Sequence, residues 1–196
     1  MSPSSTPKRT PAGARKQADD WVMAGLEVLA NGSIAEVKVE RLAKRLGVTK
    51  GSFYWHFDDR SALLEAMGRR WVELDTESVI TFVDSTTPDD DPQAAIEQLC
   101  AVVFGQGGQL DGVEAAIREW SAGDPAMAEL CRSVDEQRLQ YVAGHLAASG
   151  LEADEARRRA EVIYRIVIGE YVWRRYGGEP IETTTAIEAV RRLIGP

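Results

Sequence analysis

Apolar residues recur along this chain at intervals of three and four, the spacing that lines side chains along one face of an α-helix. Trp21, Ala24, Gly25, Val28 and Leu29 mark a first helix over about 14–30, and Asn31-Gly32 supplies its stop. Leu42, Ala43 and Leu46 mark a second, short helix over about 39–46. Gly47 gives the permissive backbone that a tight exit needs. Thr49 is placed to cap a third helix, in which Phe53 and Phe57 face inward. Leu63, Leu64, Met67, Trp71 and Leu74 define a long helix over about 60–83, capped by Asp58 or Asp59. Further helices are predicted over about 92–104, 111–121, 125–148 and 153–176, with a last one from Pro180 or Thr185 to Ile194. The clearest break is Thr86-Thr87-Pro88-Asp89-Asp90-Asp91-Pro92. Its three aspartates read as a solvated loop entering the next helix, because a hard cation needs ligands that converge on one point. No alternating strand pattern has comparable strength, so the fold class is all-α.

The second and third helices, joined by a turn of about three residues containing Gly47, describe a helix-turn-helix. With Phe53 and Phe57 inward, Lys50, Ser52, Tyr54, Trp55 and His56 occupy the rest of the third helix. That surface has donors and aromatic rings but no acid, as a helix that reads a major groove requires. A core role stays open for Tyr54 or Trp55 taken singly, and is much weaker for the whole string.

At these residues the sequence resembles the TetR family of transcriptional repressors. Gly47-Val48-Thr49-Lys50-Gly51-Ser52-Phe53-Tyr54-Trp55-His56-Phe57, followed by Leu63-Leu64, is similar to that family's recognition helix and the start of its linking helix. Trp21, Ala24, Leu26 and Leu29 fit its first helix, so the similarity covers roughly 14–70. The resemblance implies an N-terminal three-helix helix-turn-helix DNA-binding domain over 14–60 and a larger C-terminal helical ligand-binding and dimerisation domain over 61–196. The expected DNA-binding residues are Lys38, Thr49, Lys50, Gly51, Ser52, Tyr54, Trp55, His56 and Arg60. Lys38 departs from the pattern. It stands where the family usually has a Ser or Thr that caps the helix and binds phosphate, so the cap is weakened by about 1 kcal/mol.

Charge sharpens the division. Residues 1–70 hold 12 Lys/Arg against 8 Asp/Glu, whereas residues 71–196 hold 11 against 23. A basic head on an acidic body disfavours non-specific coating of nucleic acid and still allows a local, site-specific contact. Residues 1–13, with Pro3, Pro7 and Pro11, read as a disordered basic tail. Lys8, Arg9, Arg15 and Lys16 can follow DNA as an arm or simply be solvated. Cys100 and Cys131 show neither metal-ligand spacing nor a disulfide framework. With no run of about 18 apolar residues and no secretory signal, a cytoplasmic protein without membrane partners or cofactors is expected.

One reading helix covers only a few base pairs, so specific affinity calls for a homodimer on a palindromic double-stranded DNA operator. In the resembling family the last two long helices dimerise. Here those helices carry Ala160, Ile163, Ile166, Val167, Gly169 and Trp173, then Ile187, Val190, Leu193 and Ile194. Such stripes serve a monomer's own core equally well. The middle helices are expected to enclose an unknown small-molecule effector, with Phe104, Arg118, Trp120, Asp135, Arg138, Tyr141, His145 and Tyr164 as candidate contacts. Arg118 and Trp120 point to different sides of their helix and cannot share one pocket without a bend. Gly105, Gly107 and Gly108 form no phosphate loop, since no strand precedes them and no Lys-Ser/Thr follows. Catalytic and metal residues are expected to be absent, because no constellation assembles around His56, His145 or either cysteine. The reading is a repressor released by its effector. The alternative is a constitutive helix-turn-helix DNA-binding or protein-interaction module with a filled core.

Overall fold

The computed structural model describes residues 17–105 and 112–194, and every described element is helical. The expected N-terminal tail and the Gly107-Gly108 connection lie outside the described residues. The helices are α1 (Ala18–Ala30), α2 (Val39–Leu46), α3 (Lys50–Phe53), α4 (Arg60–Val72), α5 (Ser78–Thr86), α6 (Pro92–Gly105), α7 (Val113–Ser121), α8 (Pro125–Ala148), α9 (Ala153–Arg175) and α10 (Thr183–Ile194).

The first core is built around Trp21, which is fully buried and meets Phe53 edge to face at 5.3 Å. Phe57 stacks on Phe53, also at 5.3 Å, so the inward-facing pair predicted four residues apart anchors the reading segment to α1. Leu42, Leu63, Met67 and Trp71 complete this side. The core does not stop at the linking helix. Val113, Ile117 and Trp120 of α7 and Met127, Cys131 and Val134 of α8 pack into the same cluster. The second core joins Ile96, Cys100 and Phe104 of α6 to Val142 and Leu146 of α8, Ala156, Ala160 and Ile163 of α9, and Ala186 and Val190 of α10. Ala160, Ile163 and Val190, expected as candidates for self-association, are therefore interior to the chain's own fold.

Local chemistry sets the helix ends. Gly47 closes α2 at φ 70°, the left-handed geometry that favours glycine. Asp59 caps α4 by accepting the Ala62 N–H at 2.9 Å, and Asp91 accepts that of Ala94 at 2.9 Å to start α6. Asp124 accepts from Ala126 and Met127 at the head of α8, where Pro125 fills the first turn. Two expectations need correction. The Thr49 hydroxyl makes no cap bond; its carbonyl instead accepts the Ser52 N–H at 3.1 Å. The third helix also ends at Phe53, and residues 54–56 form a turn that carries Phe57 back into the core. Between α4 and α5 the predicted long helix continues, but through a π-helical turn over Glu73–Glu77. The extra residue in that turn re-aims the side chains around it, and such insertions are frequent at functional sites.

Candidate DNA-reading surface and ligand cavity

The helix-turn-helix presents Tyr54 at 55% exposure and Trp55 at 76%, unusual for aromatic residues beside a packed core. Lys38, Thr49, Lys50, Gly51 and Arg60 are exposed with them, while Ser52 and His56 are half-buried. The structure thus places all nine expected residues around one end of the first core. The third helix carries no acid of its own, but α2 brings one to it. Glu40 of α2 accepts a hydrogen bond from the Lys50 ammonium, which lowers the carboxyl's pKa and raises the lysine's. Arg41 pairs with Glu36 and Arg45 with Glu27.

Arg60, expected among the DNA contacts, has a structural task. Its Nε donates to the Val37 carbonyl at 2.7 Å and its Nη2 to that of Ile34 at 2.6 Å, clamping the loop before α2. Lys38 sits at the N-cap position without a side-chain cap bond, consistent with the weakened start expected there.

Between the π turn and helices α5, α6, α8 and α9 lies a cavity of about 70 Å³, measured as space open to the centre of a water molecule. Its wall is mostly apolar, with Ile96, Cys100, Phe104, Val142, Ile163 and Val167. Its polar lining is Asp75, Thr76, Arg138, Tyr141, Tyr164 and Tyr171. Four of the eight residues expected to contact an effector, Phe104, Arg138, Tyr141 and Tyr164, therefore line it.

The other four do not. Arg118 and Asp135 stand behind Tyr164: Arg118 donates to the Tyr164 hydroxyl at 2.9 Å, and that hydroxyl donates to Asp135 at 2.6 Å. They line a more open groove with Glu161 and Arg165. Trp120 is on the opposite face of α7, packed in the first core, with its indole N–H on Asp124 at 3.0 Å. His145 packs edge to face on Tyr141 at 4.7 Å without lining the cavity, and burial lowers its pKa against the opposing pull of Asp84.

Behind the polar lining runs a buried charge network that the sequence concealed. Glu114, only 3% exposed, accepts from the Trp71 indole at 3.0 Å, from Arg138 at 3.1 Å and from Arg118 at 2.9 and 2.7 Å. Arg138 also donates to the Thr76 hydroxyl at 2.9 Å and the Asp75 carbonyl at 3.1 Å, and lies 5.5 Å over the Trp71 ring. Burial pulls the pKa of each guanidinium down, but the surrounding carboxylates outweigh it and hold both firmly charged. Burial pushes the Asp75 carboxyl up to about 6, helped by Glu114 and opposed by Arg138 and the Trp71 N–H. Tyr164 rises to about 12 and Tyr171 beyond, both chiefly through burial. Asp75, Thr76, Glu114 and Tyr171 are the polar residues missed from sequence.

Residues 22–67 match the family described as bacterial regulatory proteins, tetR family, and the match spans α1, the helix-turn-helix and the first part of α4. Over these residues the chain is similar to the DNA-binding part of tetR-family regulators. The chain is 30% identical over 60 residues to the HTH-type transcriptional regulator TtgW of Pseudomonas putida, covering 31% of this chain and 45% of that one. Over 75 residues it is 33% identical to the class C tetracycline repressor protein of Escherichia coli, covering 38% of this chain and 32% of that one. The chain thus matches less than half the length of these curated relatives. Fold similarity reaches further. A transcriptional regulator from Saccharomonospora viridis, solved in complex with choline, superimposes with a TM-score of 0.76 over 90% of this chain and 94% of its own, at 16% identity. The shared fold therefore extends through the second core. The relatives are named as regulators, a class without catalytic activity. Among the described residues no helix is long and apolar enough to cross a membrane.

Proposed function

We propose that this TetR-family chain is a homodimeric repressor that binds a palindromic operator through Lys38, Thr49–His56 and neighbouring cations, and that a small molecule in the α5–α9 cavity releases it. The observation that carries the reading is the Trp71–Glu114–Arg138 link, which joins the core beneath the reading helix directly to the cavity wall. An occupant that moves Arg138 acts on Trp71, and through it on the packing that sets the pose of α1 and α4. For a hundredfold loss of operator affinity, the ligand must favour the released conformation by about 2.7 kcal/mol. The choline complex of the S. viridis regulator supports a small-molecule site in this fold.

Self-association has a surface to use. On α9, Val162, Ile166 and Trp173 fall on one stripe with Gly169, flanked by Val172 and, just past the helix end, Tyr176, all exposed. Trp173 is 60% exposed and Tyr176 75%, the pattern of a helix face awaiting a second copy.

The test is selection of bound duplexes from a random pool by the purified chain, repeated with Tyr54→Ala. A palindromic site that the mutant fails to enrich while remaining dimeric supports the reading. Equal enrichment of the same site by Tyr54→Ala sinks the assignment of the reading surface.

A further inference from the structure

The polar end of the cavity holds more acid than base. Arg118 and Arg138 are balanced by Glu114 and Asp135, with donor–acceptor distances of 2.6–3.1 Å throughout. Asp75 is the third carboxylate. Arg138 reaches its backbone carbonyl, at 3.1 Å, and its side chain enters no ion pair among the described residues. It lines the cavity beside Tyr164 and Tyr171.

An anionic ligand finds every guanidinium nitrogen already turned to an acceptor. The Arg138 Nε, Nη1 and Nη2 are given to Thr76, Glu114 and the Asp75 carbonyl, and those of Arg118 to Glu114, Asp135 and Tyr164. An ammonium group meets the opposite situation, an uncompensated carboxylate among aromatic rings, and both attract it. Beyond that end the wall is apolar, formed by Ile96, Val103, Phe104, Ile163 and Val167. A space of about 70 Å³ open to water centres suits a small ligand with a short tail.

We propose that the cavity is selective for small amphiphilic organic cations, with an ammonium head at Asp75 and a short alkyl or aryl body among the apolar residues of α6, α8 and α9. The proposal rests on the reading of this cavity as the effector site and names the chemistry it takes. The groups that face Asp75 are Glu114 of α7, Arg138 of α8, Tyr171 of α9 and the Trp71 indole of α4. Of these only Arg138 favours an ionised Asp75 by charge, and it is shared with Glu114. A bound cation supplies the missing positive charge, so it binds more tightly when Asp75 is ionised, and at low pH its arrival expels a proton.

The experiment is calorimetric titration of the full chain with hexylammonium, 1-hexanol and hexanoate, three six-carbon probes with three head charges. At pH 8 hexylammonium is expected to bind about tenfold more tightly than hexanol, with hexanoate weakest. The advantage shrinks at pH 5, where Asp75 is protonated. In Asp75→Asn it disappears, and an unchanged far-UV circular dichroism spectrum shows that the variant is folded. Equal affinity for hexanol and hexylammonium, a preference for hexanoate, or a cation preference that survives in Asp75→Asn overturns the charge selectivity and leaves a cavity that binds something else. Failure of all three probes to bind overturns the effector site itself and this proposal with it.

Discussion

The indole N–H of Trp71 donates to the buried carboxylate of Glu114 at 3.0 Å, and this bond joins the two halves of the molecule. Trp71 is wholly buried among the side chains that hold the reading helix, and Glu114 is shared by the two guanidiniums behind the cavity. Breaking a buried ion network by removing one partner leaves the others desolvated and unpaired, which costs more than the intact network contributed. Glu114→Gln keeps the shape and removes the charge shared by Arg118 and Arg138. It should lower unfolding stability by about 3–5 kcal/mol, read as a fall in the urea midpoint at constant slope. A loss below about 1 kcal/mol would show that the guanidiniums find other acceptors.

The reading surface carries its own competitor for phosphate. Glu40 competes with DNA for the Lys50 ammonium, and their mutual bond lowers the Glu40 pKa and so favours the charged acid. Glu40→Gln should therefore strengthen operator binding and steepen its salt dependence. Lys50→Gln should weaken binding and reduce the logarithmic salt slope by about one. Fluorescence anisotropy between low and physiological salt measures both. Unchanged slopes in the two variants would remove Lys50 from the phosphate contacts.

Asp75 sets a pH dependence of stability with a definite sign. Its carboxyl is raised from 3.8 to about 6 in the folded chain, so between these values the unfolded state gives up the proton and the native state keeps it. Stability from this group is complete below about pH 4, falls as pH rises to about 6, and is flat above, a loss of roughly 3 kcal/mol. In ligand-free protein Asp75→Asn should be the more stable chain at pH 8, and its advantage should vanish near pH 4. Urea titrations of both chains across this range read the difference directly, and a constant offset would assign the effect to packing.

How far the sequence disclosed all this depends on what each residue's spacing could distinguish. Helix spans followed from three-and-four periodicity, and the expected 125–148 helix coincides with α8 because Asp124 and Pro125 mark its start. The cavity was half legible. Phe104, Arg138, Tyr141 and Tyr164 stand out by residue type, whereas Glu114, four residues before Arg118, reads like any solvated helix-surface acid. The signal for Glu114 was its neighbours, since Val113, Ala115, Ala116 and Ile117 leave an acid there little access to water. Asp75 and Thr76 were invisible for another reason. A regular helix over 60–83 assigns their directions at 100° per residue, and the π turn over Glu73–Glu77 breaks that phase. Trp120 was misplaced because an aromatic residue in a ligand domain carries no mark of which core it enters.

Gly47 offers a clean measure of backbone strain. Its φ is 70°, and a Cβ there would meet nothing within 4 Å. Gly47→Ala should destabilise the chain by about 1–2 kcal/mol through conformation alone. Gly47→Asn, better suited to the left-handed region, should recover part of the loss. Thermal unfolding of the three chains tests the order Gly, Asn, Ala, and an Ala variant as stable as the parent would place the strain elsewhere.

A second strut joins the same two regions from the opposite end of the chain. Arg175, the last residue of α9, donates to the carbonyls of Ala30 at 2.9 Å and Gly32 at 2.6 Å, where α1 ends and its dipole favours a cation. Glu119 of α7 holds the guanidinium in place at 2.8 and 2.9 Å. Because α9 also supplies Tyr164 and Tyr171 to the cavity, a shift of this helix reaches α1 without passing through Trp71. Arg175→Gln removes the charge and most of the fork, and should cost about 2–3 kcal/mol of stability. Its diagnostic effect is on coupling. Ligand affinity should be nearly unchanged, while the ligand-induced fall in operator affinity should shrink severalfold, measured as operator binding at zero and saturating ligand. If the fall is undiminished in Arg175→Gln and lost in Glu114→Gln, the signal travels through the tryptophan and this strut only holds α9 in place.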